Sequence, residues 1–198
     1  MRSRRAVLLA VAVLCLASAR AWPATPAERG PYGIAEFREH LVDASRGREM
    51  DLLVLYPLAT GDAEVPAAGF PLIAFNHGFL LRGDLYRSYG EHLASHGFVV
   101  ALPTYPMSFY GLNHSALALD VRYVIDQCLA LDANTKSPLR GLVDESSIGA
   151  SGHSLGGKLA LLEAVTDSRI RAVATLDPVD GGGPGGSDPT LYPSVARN

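Results

Sequence analysis

Ser154 stands at the centre of Gly152-His153-Ser154-Leu155-Gly156, a Gly-x-Ser-x-Gly pattern of the kind that offers a serine hydroxyl as a nucleophile. A hydroxyl attacks a carbonyl only if a turn lifts it clear of its neighbours and donors wait for the negative charge that forms. The flanks supply such a turn. Residues 146–150 read as a short strand and residues 155–165 (LGGKLALLEAV) as an apolar helix. Gly152, Gly156 and Gly157 remove the side chains that would clash in a strained strand-to-helix bend. The first N–H groups of the helix then favour developing negative charge beside the serine. The plain alternative is a glycine-rich turn with an incidental serine. Having both flanks correct favours the nucleophile.

A tetrahedral oxyanion needs two preorganised donors. Leu155 N–H, directly after the serine, is one candidate. The other comes from the loop after residues 70–75, a buried strand that runs into Asn76-His77-Gly78-Phe79. There Phe79 N–H is the candidate, Gly78 permits close backbone approach, and His77 reads as a residue that shapes the loop. A carboxylate must orient the base. Residues 170–176 read as a buried strand ending at Asp177-Pro178-Val179-Asp180, which puts Asp177 on the same rim as Ser154. Asp180 is the fallback, and a turn aspartate before proline is the plain reading. Loops at the carboxyl ends of parallel strands line sites, so Tyr105, Met107 and Phe109 in residues 103–112 (PTYPMSFYGL) are candidates for a substrate pocket. Loop packing explains them equally well. His92 and His96 stand four apart on one helical segment, but no third ligand accompanies them. No metal and no organic cofactor is therefore expected.

Several elements must carry these groups. Residues 35–42 and 49–56 read as strands around a turn-forming cluster, Asp43-Ala44-Ser45-Arg46-Gly47-Arg48, with Pro57 ending the second. Residues 84–96 predict a helix with Leu85, Tyr89 and Leu93 on one face and Gly97 capping it. Residues 98–102 predict another buried strand. Residues 113–131 predict the longest helix, capped by Asn113 or Ser115, with Leu117, Val121, Val124, Ile125 and Cys128 as its buried stripe.

The chain has 198 residues, 48% apolar and 19% charged, with a net charge of −3. That suits one globular domain and supplies no basic field for nucleic acid. Residues 1–21 read as a signal peptide: Arg2, Arg4 and Arg5 precede an apolar run, then small-residue cleavage sites. The run is too short for a comfortable membrane span, so a secreted or periplasmic protein with no stable span is expected. Residues 22–34 read as a linker, residues 35–180 as the domain, and residues 181–198 as a Gly/Pro-rich tail. Cys128 would be the one cysteine left after cleavage, and it reads as a core residue.

The order of these elements resembles the α/β-hydrolase fold. The runs Gly152-His153-Ser154-Leu155-Gly156-Gly157-Lys158 and Leu176-Asp177-Pro178-Val179-Asp180-Gly181 resemble the chlorophyllase branch, and platelet-activating-factor acetylhydrolases and bacterial polyester hydrolases are similar in layout. The resemblance covers residues 35–183 or so. It implies a mostly parallel sheet with helices on both faces, Ser154 as nucleophile, Asp177 as triad acid, and Phe79 and Leu155 as oxyanion donors. The implied substrate is a small-molecule or lipid-like carboxylic ester. Leu155 stands where chlorophyllases usually carry Arg, which argues against chlorophyll itself. The fold's chain order is Ser, acid, His, yet no histidine follows His153. The expectation is an incomplete domain lacking its last strands and helices, with residues 170–176 left as an uncovered edge strand. A catalytically inactive binding protein that keeps the elbow as scaffold is the alternative, and acyl transfer to an acceptor other than water is a further one.

Overall fold

The computed structural model describes residues 27–108 and 112–179. The cluster Asp43 to Arg48 folds the chain back on itself: β1 (Gly33–Asp43) and β2 (Arg48–Leu58) pair antiparallel from Gly33↔Leu58 to Asp43↔Arg48. Gly47, at φ +61, takes the left-handed conformation that a side chain disfavours. Pro57 does not end β2. It lies past Leu55, the last β2 residue in register with β4, so its missing N–H leaves no bond to that strand unmade.

The remaining strands are β3 (Phe70–Asn76), β4 (Val99–Thr104), β5 (Val143–His153) and β6 (Ile170–Leu176). The sheet order is β1-β2-β4-β3-β5-β6. β2 runs antiparallel to β4, whereas β4, β3, β5 and β6 are mutually parallel. The helices are α1 (Arg87–Ser95), α2 (His114–Ala133) and α3 (Leu155–Thr166). β2 is apolar without alternation because both of its faces are covered. Leu52 and Val54 join the core that holds Val121, Ile125 and Leu159 of α2 and α3, while Leu53 and Leu55 join the core that holds Tyr86 and Ala94.

The α2 stripe is buried as its spacing predicts, and Asn113 caps the helix by accepting from Ala116 N–H at 2.9 Å. The α1 region differs from expectation. A short 3-10 turn, Gly83–Tyr86, precedes the helix, and Leu85 and Tyr89 are exposed. The buried face is made by Gly90, Ala94 and Ser95, because a Cβ on Gly90 would come within 2.8 Å of Leu55 Cδ1. Small residues bring the helix close to the sheet, and the larger apolar side chains turn outward. The stretch expected as a linker is docked from Glu28 onward. Gly30 N–H donates to Ser95 Oγ, Tyr32 N–H to Ser95 O, and the Tyr32 ring meets Phe70 edge-on.

Asp120 is a polar residue inside the α2 stripe and is fully buried. Arg46 Nη1 donates to it at 2.8 Å, Arg48 grips both of its oxygens, and Arg46 Nε also donates to Asp43 at 2.5 Å. The hairpin turn is thereby bolted to α2. Removing one partner of a buried ion pair leaves the others desolvated and uncompensated, at about 3–5 kcal/mol. Asp120→Ala is expected to lower unfolding free energy by that order in urea titration, and a loss below about 1 kcal/mol would show that the cluster behaves as an exposed one.

Among the described residues β6 pairs only with β5, and Arg171, Ala172, Ala174 and Leu176 are exposed. On the α1 side, Ile73, Leu93, Phe98, Ala172 and Ala174 line an open apolar groove. Among the described residues β6 is thus an edge strand. Residues 1–26 and 180–198, which include the expected signal peptide, the tail and Asp180, lie outside the described residues, as does Phe109. No helix among the described residues is long and apolar enough to cross a membrane.

Candidate active site

β5 runs to His153 and α3 begins at Leu155, so Ser154 is the whole of the bend. Its backbone sits at φ 54 and ψ −119, a region that side chains disfavour and that is held only when the surroundings demand it. Here they do. Ser154 N–H donates to Leu176 O at 2.9 Å, and Ser154 O accepts from Gly157 N–H at 3.1 Å and from Val179 N–H at 3.3 Å. The elbow is also wedged against the end of β3. A Cβ on Gly156 would lie 2.1 Å from Asn76 O, and one on Gly152 would lie 2.6 Å from the same atom. The glycines of the motif are therefore needed for close backbone approach between the elbow and the loop after β3.

That loop is organised from beneath. Asn76 is fully buried, its Nδ2 donating to Ser151 O at 2.8 Å and its Oδ1 accepting from Tyr105 O–H at 2.5 Å. His77 is also fully buried. Its Nε2 accepts from Tyr105 N–H at 3.0 Å, which leaves the ring proton on Nδ1, and that proton is donated to Gly78 O at 2.8 Å. Leu81 N–H donates to the same carbonyl at 3.1 Å. A trans peptide is planar, with its C=O and N–H pointing in opposite directions. Holding Gly78 O from one side therefore aims Phe79 N–H to the other. His77 shapes the loop, as its position in the sequence predicts.

Burial lowers the His77 pKa, and burial, with nearby Lys158 second, lowers that of His114. Below an unfolded-state pKa of about 6.5, the unfolded chain takes up protons that the folded chain refuses. The stability tied to these neutral rings is thus fully present above that pH and falls as pH drops through it. His40, raised mainly by its hydrogen bond to Asp51, and Glu163, raised by burial, act in the opposite sense. The His77 contribution is isolated by comparing variants. His77→Gln is expected to flatten the decline of urea-unfolding free energy between neutral pH and about 5.5, by up to about 1.4 kcal/mol per pH unit. Parallel curves would contradict the burial argument.

Asp177 lies on the same rim as Ser154. β5 and β6 are parallel with His153 opposite Leu176, so the serine and the aspartate each follow directly on paired residues. Asp177 is exposed and has φ 47. Leu155 is buried at the first position of α3, where helix geometry leaves its N–H without an intrahelical acceptor.

The candidate pocket residues divide. Tyr105 is 3% exposed and ties both its N–H and its hydroxyl to the loop after β3. Burial pushes its phenol pKa well up. It is a prop beneath the loop, and packing is the role the structure gives it in place of lining a pocket. Met107 is half-buried against the core, and Phe109 lies outside the described residues. Cys128 is buried, with burial pushing its thiol up to about 12, which suits a packing role. The rings of His92 and His96 lie 4.8 Å apart, and His96 Nε2 donates to Glu28 O. Among the described residues no three His, Cys, Asp or Glu side chains cluster as a metal site.

Two residues of this neighbourhood were not singled out by sequence reasoning. Asn76 could have been, as the polar residue closing an apolar strand just before His77-Gly78. Tyr86 carried no signal, since its hydroxyl reaches Gly78 N–H and the His153 ring across gaps of 8 and 67 residues.

A sheet in this order, with β2 antiparallel beside β4 and a strained serine between β5 and the helix that follows, defines the α/β-hydrolase fold. The family model described as chlorophyllase matches residues 28–195, and the chain belongs to the chlorophyllase family. Chlorophyllase-2 of Arabidopsis thaliana is 30% identical over 152 residues, covering 74% of this chain and 45% of that protein. A solved ferulic acid esterase from Streptomyces cinnamoneus superposes with a TM-score of 0.53 at 23% identity, covering 76% of this chain and 59% of the other, a likeness of fold. The chain thus spans less than half the length of the curated relative it matches.

Proposed function

We propose that this chain carries the nucleophile, the acid and the oxyanion loop of a carboxylic ester hydrolase. The single observation that carries the reading is Ser154 held at φ 54, ψ −119 between β5 and α3, with the Gly78–Phe79 peptide oriented beside it. Ser154 Oγ attacks the ester carbonyl, and the oxyanion is received by Leu155 N–H and Phe79 N–H. The alcohol leaves, and water then releases the acid from the acyl-serine. Asp177 is assigned the orientation of the base that takes the serine proton. No histidine follows Asp177 in the sequence, so the chain alone is expected to show only the residual catalysis of nucleophile and oxyanion donors, at most about 10³–10⁴-fold over water.

Family membership supports an ester substrate, and so does the surface beside the oxyanion loop. Leu80, Leu81, Leu85 and Tyr89 are exposed there, an apolar border suited to a small-molecule or lipid-like group. The basic then apolar start of the chain supports export.

The test is labelling by a fluorophosphonate at neutral pH, with free imidazole added to supply a base. A covalent adduct on the Ser154 peptide, absent from Ser154→Ala, is expected. No adduct under either condition would leave an inactive binding protein with the elbow as scaffold.

A further inference from the structure

Gly78 sits between two peptide planes, and the candidate oxyanion donor belongs to the second of them. Glycine has the loosest backbone of any residue, so an oxyanion loop built on it must be restrained from outside if its donor is to be preorganised. The second plane, Gly78–Phe79, is held through Gly78 O by His77 Nδ1–H and Leu81 N–H. The first plane, His77–Gly78, is held through Gly78 N–H, which donates to the Tyr86 hydroxyl at 3.2 Å. That hydroxyl is itself fixed. It lies 2.8 Å from His153 Nδ1, and the Tyr86 ring packs 5.2 Å from Phe75 within the α1-side core. A Cβ on Gly78 would come within 3.2 Å of His153 Nδ1 and 3.3 Å of the Tyr86 hydroxyl. A side chain there would crowd both groups, so glycine suits the position although its freedom is a liability, and Tyr86 restrains that freedom.

We propose that Tyr86, anchored by His153, is a positioning residue for the oxyanion loop: its hydroxyl fixes Gly78 and through it the direction of Phe79 N–H. The inference deepens the esterase reading and rests on it for its catalytic consequence. It also gives the residue before the nucleophile a task. His153 links the elbow to the loop through Tyr86, so the nucleophile and one oxyanion donor are set by the same pair of side chains. With Nδ1 engaged by Tyr86, His153 serves this geometry rather than that of a base.

Tyr86→Phe in the full chain tests it, since the ring and its packing are kept. Two measurements are made: amide hydrogen exchange resolved at Gly78 and Phe79, and the rate of fluorophosphonate labelling of Ser154 with imidazole present. The expected result is exchange at Gly78 at least ~10-fold faster, the loss of one hydrogen bond, with the thermal midpoint nearly unchanged. The maximal labelling rate is expected to fall about 10-fold while the half-saturating probe concentration holds. His153→Leu, which removes the anchor and leaves the hydroxyl, is expected to give a smaller shift in the same direction. Unchanged exchange at Gly78, or faster exchange with an unchanged labelling rate, overturns the proposal. If the wild-type chain takes no label at all, the esterase reading fails, and the exchange measurement still decides whether Tyr86 restrains the loop.

Discussion

Ser154→Gly is expected to abolish fluorophosphonate labelling and yet to melt above the wild-type protein, whereas Ser154→Ala loses labelling with its melt unchanged. Both substitutions remove the hydroxyl. They differ in what they do to the bend. At φ 54 and ψ −119 a residue with a Cβ stores about 1–3 kcal/mol of backbone strain. Alanine keeps the Cβ and hence the strain. Glycine relieves it, and its greater freedom in the unfolded chain returns only about 0.4–1 kcal/mol. A net gain near 1 kcal/mol corresponds to about 2–4 °C for a domain of this size. The elbow would then be a place where stability is given up to present a nucleophile. A glycine variant that melts below the alanine variant would show that the bend is not strained by its side chain.

Gly156→Ala is expected to be strongly destabilising for a single-methyl change. Helix propensity predicts the opposite, since alanine in a helix is favoured over glycine by about 1 kcal/mol. Sterics decide the matter. The new Cβ would sit 2.1 Å from Asn76 O, 2.4 Å from Asn76 C and 2.7 Å from His77 O. All three are backbone atoms, and they are pinned by the Asn76 and His77 hydrogen bonds. They cannot swing aside as a flexible side chain would, so α3 must lift off the end of β3. Overpacking typically costs about 1–3 kcal/mol and occasionally more, with rigid backbone on the receiving side placing this case at the upper end, and it separates the serine from the loop after β3. Gly157→Ala is the internal control, because its nearest contacts are at 3.1 Å and one of them is the Pro178 Cβ. Urea midpoints should fall far more for Gly156→Ala than for Gly157→Ala, and equal losses would contradict the steric argument.

The parts legible in the sequence are those that a local pattern or short spacing specifies. The elbow, the α2 stripe, the hairpin at Asp43 to Arg48 and the strand ending at Asp177 all lie within one element or its flank. The outward turn of Leu85 and Tyr89 was hidden because periodicity weighs large apolar residues, while Gly90 and Ala94 make the contact by being small. Pro57 misled for a related reason: whether a proline ends a strand depends on where the neighbouring strand stops, and β4 contributes that information from elsewhere. For Tyr105 the sequence leaves a pocket wall and loop packing equally open, and it becomes a buried prop only because Asn76 and His77 arrive against it. Asp120 is buried only because Arg46 and Arg48, some seventy residues earlier, close over it, and no local pattern reports that. Tyr86 belongs to the same class, since its purpose exists only once β3, the 3-10 turn and the elbow are assembled.

The bonds between the elbow and β6 have a consequence for how such a chain is made. Ser154 N–H is satisfied by Leu176 O, and Ser154 O receives Val179 N–H. Both partners are synthesised after the serine. Until residues 176–179 have emerged and β6 has docked, the bend lacks two of the bonds that hold it at its strained angles. A growing chain on the ribosome therefore carries Ser154 in a relaxed bend, and its backbone is held at the strained angles only when the last strand described here has docked.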